Sequence, residues 1–178
     1  TLADAVNFSY GGVPYLSKVK AAIDADFKID NKANTYTYAT DKITANELQL
    51  NSEGVIKNLA EKGFDLDIKF KSPSTDFKSI LSLVPVIYQN DFAKIKTSGN
   101  AQFAGFVKGI YNDSQMPAYH LNMNVTNGFF QYPDLPKPVK NINIAAVVDN
   151  PNGITDNTVV NIEKAHVEFD NDPFDFRI

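Results

Sequence analysis

The chain contains no cysteine, and that absence removes disulfides, thiolate nucleophiles and sulfur-ligated zinc together. Tryptophan is missing too, and histidine occurs only at His120 and His166. A metal centre on either imidazole would need convergent carboxylates that the local spacing does not supply. Positive charge is short: 17 Lys and Arg against 21 Asp and Glu leave a net charge of -4 and a pI near 5.1. No basic stripe is present to meet a nucleic acid. The longest unbroken apolar run, Ile144 to Val148, falls far below the ~20 residues of a membrane-spanning helix. No G-x-S-x-G elbow, phosphate loop or dinucleotide fingerprint occurs.

What is present is alternation. From Val19 to Ile29 every odd position is apolar and every even one is charged except Ala22, the pattern of a strand with one buried face. Phe64, Leu66, Ile68 and Phe70 repeat it, as do Tyr119, Leu121, Met123 and Val125, and then Ile142, Ile144, Ala146 and Val148. In Val160, Ile162, Ala165, Val167 and Phe169 the apolar phase slips by one residue near Glu163, which predicts a β-bulge. Reversals are expected at 31–34, 51–54, 98–100, 111–114, 126–128 and 149–153, where Asn, Asp and Gly cluster. The 178 residues, 43% apolar and 21% charged, suit one domain with a real core. The expected fold is mainly β: a long antiparallel curved meander of about nine to eleven strands forming a sandwich or an open groove. One exception interrupts it. Phe77, Ile80, Leu81 and Val84 recur at helical spacing, so a short helix over about residues 74–91, kinked at Pro85, is expected.

Candidate chemistry is sparse. Both histidines fall in the polar phase of their strands and read as surface groups. The acidic loop from Asp149 to Asp156 fails the calcium-loop spacing because Pro151 occupies a ligand position, so it reads as a turn. Asp24 with Asp26 and Asp65 with Asp67 have a separation that glycosidase carboxylates use, yet their regular alternation with a buried face suits solubility better. Asp170, Asp172 and Asp175 read as a solvated edge. The N-x-S/T words at Asn7, Asn112 and Asn124 matter only in a eukaryotic secretory setting. Aromatic residues make up 12%, and they fill either a closed core or an apolar face left open as a trough for acyl chains.

Three of the nine prolines fall within six residues, Pro133, Pro136 and Pro138. Each fixes φ and removes a donor, so Pro133 to Val139 should be an extended connector with neither helix nor central strand. The words Gly128-Phe129-Phe130-Gln131-Tyr132-Pro133-Asp134-Leu135-Pro136 and Asn150-Pro151-Asn152-Gly153 resemble the C-terminal region of the AsmA family of Gram-negative envelope proteins. That family carries a G-x-F-x-YPDLP-x-PV-x-NI stretch followed by an NP-x-G turn and a D-x-T strand, matched here by Asp156-Asn157-Thr158. The run from Phe77 to Tyr88 is similar to the family's LLP-containing helix, and Gly99 to Gly109 to the glycine-spaced strand after it. The matching words span roughly residues 75 to 160.

The resemblance implies a non-catalytic periplasmic module in outer-membrane assembly, cut from a longer protein whose membrane anchor lies elsewhere. No cofactor is expected. Its partners would be phospholipid or another envelope lipid, and other envelope proteins. The face carrying the lipid, or packing as core, would be led by Val19, Ile23, Phe27, Ile29, Phe64, Leu66, Ile68 and Phe70. A purely structural or protein-binding β-sandwich is the alternative, and a carbohydrate-active domain with buried carboxylates is a third class.

Overall fold

The structure is a computed structural model and describes residues 1–10, 13–46, 48–60, 62–73, 75–76, 78–79, 95–134 and 136–178. Among these residues the alternating runs form strands: β1 (Leu2–Tyr10), β2 (Val13–Asp30), β3 (Thr35–Ala45), β4 (Leu48–Asn58), β5 (Phe64–Lys71), β6 (Thr75–Asp76), β7 (Lys96–Tyr111), β8 (Ala118–Gln131), β9 (Val139–Asn150), β10 (Val159–Phe169) and β11 (Asp172–Phe176). They make one antiparallel sheet in sequence order, with β6 the one strand off the path, beside β7. The sheet is open and does not close into a barrel. Of the two expected architectures it is therefore the open one. The 18 residues of β2 would extend about 60 Å at ~3.3 Å each, well beyond an ordinary strand.

Residues opposite one another on neighbouring strands share a face, so the ladder registers show which side chains meet. One row runs Ile29, Tyr36, Ile56 and Leu66 across β2 to β5. A second continues Phe27, Tyr38, Gly54, Ile68, Val107 and Tyr119 into β8. Lower rows link Phe103, Met123, Ala146 and Ile162, then Ala101, Val125, Ile144, Ala165 and Phe176. The result is a single apolar face shared by β2 to β11.

Such long strands stay in phase because bulges reset them. Asp41 is an extra residue on β3, Asn127 on β8 and Asn141 on β9, and Glu163 is the extra residue on β10. The last is the bulge expected from the apolar slip. Asn127 and Asn141 adopt φ of 51° and 50°, the left-handed region that asparagine tolerates. Beside Asn127, Gly99 takes φ of 113°, and a Cβ there would press on the Asn127 carbonyl.

Several expected reversals prove to be strand interiors. Residues 51–54 lie inside β4, 98–100 inside β7 and 126–128 inside β8. The residues that license a turn also license a bulge, and the latter two sites are bulged. The reversals at 31–34, 111–114 and 149–153 do fall outside or at the ends of strands. The expected helix over 74–91 lies almost wholly outside the described residues. Within its N-terminal end, Thr75 and Asp76 are extended and pair with Ala101 and Asn100. The proline connector leaves the sheet between β8 and β9 as expected, but it turns at 133–134 and bends at 136–137 instead of running extended.

Among the described residues most of the buried apolar side chains lie in a band toward one end of the strands. Ala101, Val125 and Ile142 are 1%, 3% and 6% exposed, with Phe130, Val139, Ile144 and Val167 packed against them. Val19, Leu48 and Ala165 are buried as well. Ile142→Ala should therefore lower stability by roughly 2–5 kcal/mol through lost contacts and a cavity. Ile29→Ala, on the exposed part of the same face, should change it by less than about 0.5 kcal/mol. Urea unfolding followed by circular dichroism measures both.

Candidate functional site

The apolar face divides into a covered part and an open part. Beyond the buried band, Phe27 and Ile29 are 65% and 58% exposed, with Tyr36, Phe64 and Tyr111 each near 40%. At the other lateral edge Phe169, Phe174 and Phe176 are again about half exposed. Aromatic rings organise this surface: Phe27 stacks on Tyr38 at 6.2 Å, and Phe70, lying over Gly105, meets Phe103 at 6.2 Å. Of the residues singled out from sequence, Val19 is buried, Leu66, Ile68 and Phe70 are half-buried, and Ile23, Phe27, Ile29 and Phe64 are exposed. The set is thus split, with Ile23, Phe27 and Ile29 from β2 and Phe64 from β5 on the open part. The face holds few polar groups. Ser52 is one, and its hydroxyl is tied to the Tyr38 hydroxyl at 2.9 Å and donates to the Lys69 carbonyl.

The motif residues have architectural positions. Gly128 is buried in β8 opposite Ile142, where a Cβ would meet the Ile142 side chain. Phe130 and Tyr132 are half-buried, while Pro133, Asp134 and Pro136 are exposed. Leu135 lies outside the described residues. Lys137 ties the connector to the β10–β11 turn by donating to Asp170 at 2.6 Å. That ion pair holds the Asp170 carboxyl below its ordinary range.

Asn150 is the strongest fixed point. It is 1% exposed and spends its whole amide on the turn that follows. Its Nδ2 donates to the Ile154 carbonyl at 2.8 Å and to Thr158 Oγ1 at 2.9 Å. Its Oδ1 accepts from the backbone N–H groups of Asn152 and Gly153. Tyr119 reaches the same Thr158 hydroxyl at 3.1 Å. Pro151 is exposed on the outside of this turn. Gly153 has φ of 77°, and a Cβ would overlap the Met116 carbonyl oxygen. The acidic loop is accordingly a side-chain-capped turn that locks the β7–β8 and β9–β10 connections together.

The opposite face is polar and carries two concavities. One of about 600 Å³ draws on Asn51, Glu53, Lys69, Lys71, Phe106, His120 and Asn122, and one of about 540 Å³ on Asp26, Lys28, Glu53, Val55 and Asp67. His120 stacks on Phe106 at 5.6 Å and bonds Asp149 through Nδ1 at 2.9 Å. Lys108 pairs with Asp67 at 2.9 Å, which keeps the lysine's ammonium charged to higher pH than usual. Asp24, Asp26 and Asp65 are exposed on the same face. Both histidines have found carboxylates that local spacing could not supply, because β9 and β11 deliver them from across the sheet. No group of three His, Asp or Glu side chains among the described residues could hold a metal ion. Among these residues, too, no helix is long and apolar enough to cross a membrane.

The fold and this surface define an open all-β sheet with one continuous apolar face and one polar face. No family model, curated protein or solved structure matches the chain.

Asn150→Ala should cost about 2 kcal/mol or more, since it strands buried partners of four hydrogen bonds. Gly153→Ala should cost roughly 1–3 kcal/mol from left-handed strain and the Met116 overlap. Thermal unfolding of the two single variants and the double should give losses that do not add, because both act on one turn.

Proposed function

We propose that this chain is a non-catalytic β module that shields or carries lipid acyl chains on its apolar face, as part of an AsmA-like protein of the Gram-negative envelope concerned with outer-membrane assembly. The observation carrying this reading is the open part of the apolar face, where Phe27 and Ile29 stay more than half exposed on a strand of 18 residues. A monomeric soluble protein rarely leaves such a contiguous patch without an apolar occupant. An acyl chain needs length and apolar surface but no directional bonds, which suits a face whose Ser52 is already satisfied within the sheet. Each methylene taken from water would contribute about 0.8 kcal/mol. The Tyr132-Pro133-Asp134 and Asn150-Pro151-Asn152-Gly153 words support the family assignment, and with it the periplasmic setting.

The edges β1 and β11 favour a second reading. Among the described residues each has a neighbour on one side only, so an extended segment of an envelope protein could add to either.

Organic extraction of the purified protein followed by mass spectrometry tests the first reading. Phospholipid should copurify with the wild type, and an Ile23→Asp, Phe27→Asp double variant should retain several-fold less. A folded wild type free of lipid, including after incubation with phospholipid vesicles, would count against lipid carriage and leave the edge-binding reading standing.

A further inference from the structure

The last strand of the sheet is lightly secured. All five residues of β11 are exposed, and among the described residues the strand pairs with β10 alone. Backbone bonds continue past it, with Ile162 and Ile178 exchanging N–H and carbonyl. On the apolar face its side-chain attachment is the edge-on contact of Phe174 with Phe169 at 5.4 Å. On the polar face it is His166 of β10. The imidazole Nδ1 lies 2.9 Å from Asp175 of β11, and Nε2 lies 3.5 Å from Glu168 of its own strand.

His166 is also a link in a polar chain that crosses four strands, from β8 to Asp175 on β11. The Asn127 N–H on β8 donates to Asn143 Oδ1 on β9, and Asn143 Nδ2 donates to the Asn141 carbonyl. Asn141 Nδ2 then donates to Glu168 Oε2 on β10 at 2.7 Å, and Glu168 Oε1 faces the imidazole. Two of these residues, Asn127 and Asn141, sit at the left-handed bulges that set the sheet's register. The other groups around the ring are Asn143 opposite it on β9, Lys140 opposite Glu168, Lys164 two residues before it on β10, and Arg177 two residues beyond Asp175.

We propose that His166 is a proton-operated latch for the edge strand. As an imidazolium it donates from both nitrogens and bridges the carboxylates of Asp175 and Glu168. As a neutral ring it has one N–H to give, and the unprotonated nitrogen then faces a carboxylate. The latch loosens, β11 frays, and the backbone edge of β10 with the Phe174 and Phe176 rings becomes available. Asp175 and Glu168 raise the affinity of His166 for its proton, with the hydrogen bond to Asp175 the leading cause. The sign follows: a raised value in the folded state means that the latch is fully set below the ordinary histidine range. Its contribution is lost as pH rises through the folded-state value.

Amide hydrogen exchange by NMR between pH 5 and 8, expressed as protection factors corrected for intrinsic rates, tests this alongside titration of the His166 ring signals. The β11 amides that donate to β10 should lose protection several-fold over the interval in which His166 titrates, while β5 and β7 amides stay level. His166→Gln should hold β11 at its low, pH-independent protection, and Asp175→Asn should do the same by a change made on the exposed strand. The latch is overturned if β11 protection is flat through the His166 titration, or if it falls with the same profile in either variant.

Discussion

Everything in this sheet depends on phase. A β-strand alternates its side chains with a period of two, so a one-residue slip sends every apolar group to the wrong face. Strands of 11 to 18 residues, as in β2, β3 and β4, twist against neighbours of different length and cannot hold one register throughout. The extra residues at Asp41, Asn127, Asn141 and Glu163 absorb that mismatch. On either side of each bulge the apolar residues return to the same face. The cost is local, in a strained φ or an unpaired backbone group; Asn51 meets one such need by donating to the bulged Asp41 carbonyl.

A single open sheet has a second problem, since one layer cannot cover its own apolar face. The buried band around Ala101, Val125 and Ile142 is the part that is solved, and small side chains there allow close approach. The rest of the face remains open, and within it rings pack in pairs, Phe27 with Tyr38 and Phe70 with Phe103. On the polar face the attachments are ionic instead, as in Lys108 with Asp67 and Lys137 with Asp170. These exposed pairs add little individually. Their value is positional: Lys108 with Asp67 ties β7 to β5, and Lys137 with Asp170 ties the proline connector to the β10–β11 turn, in a sheet whose main cohesion is its backbone ladder.

The strands with clean alternation were legible, and Phe64 to Phe70 is β5 almost to the residue. The Glu163 bulge was legible too, because the apolar pattern itself slips there. Asn127-Gly128 has the residues of a reversal and is instead a bulge within β8. A left-handed asparagine serves a hairpin turn and a bulge equally well, and the choice depends on whether a partner strand continues alongside. The converse case is Asp170, whose φ of 65° closes the two-residue hairpin between β10 and β11. Histidine partners were illegible for a related reason. Asp149 is 29 residues from His120 and Asp175 is nine from His166, and only the ladder registers bring them together.

By itself the sequence determined that this is a β protein with one apolar and one polar face per strand, because a period of two is written into each strand and needs no partner. It also marked the connector at Pro133 to Pro138, since proline excludes the ladder wherever it stands. Tertiary structure alone decided that the strands form one open sheet, that Val19 is buried while Phe27 and Ile29 are exposed, and that Asn150 is a buried keystone instead of an acidic-loop residue. The physical reason is that exposure depends on what lies above a face, and pairing depends on which strand lies beside it. Neither is a property of a residue or its neighbours in the chain.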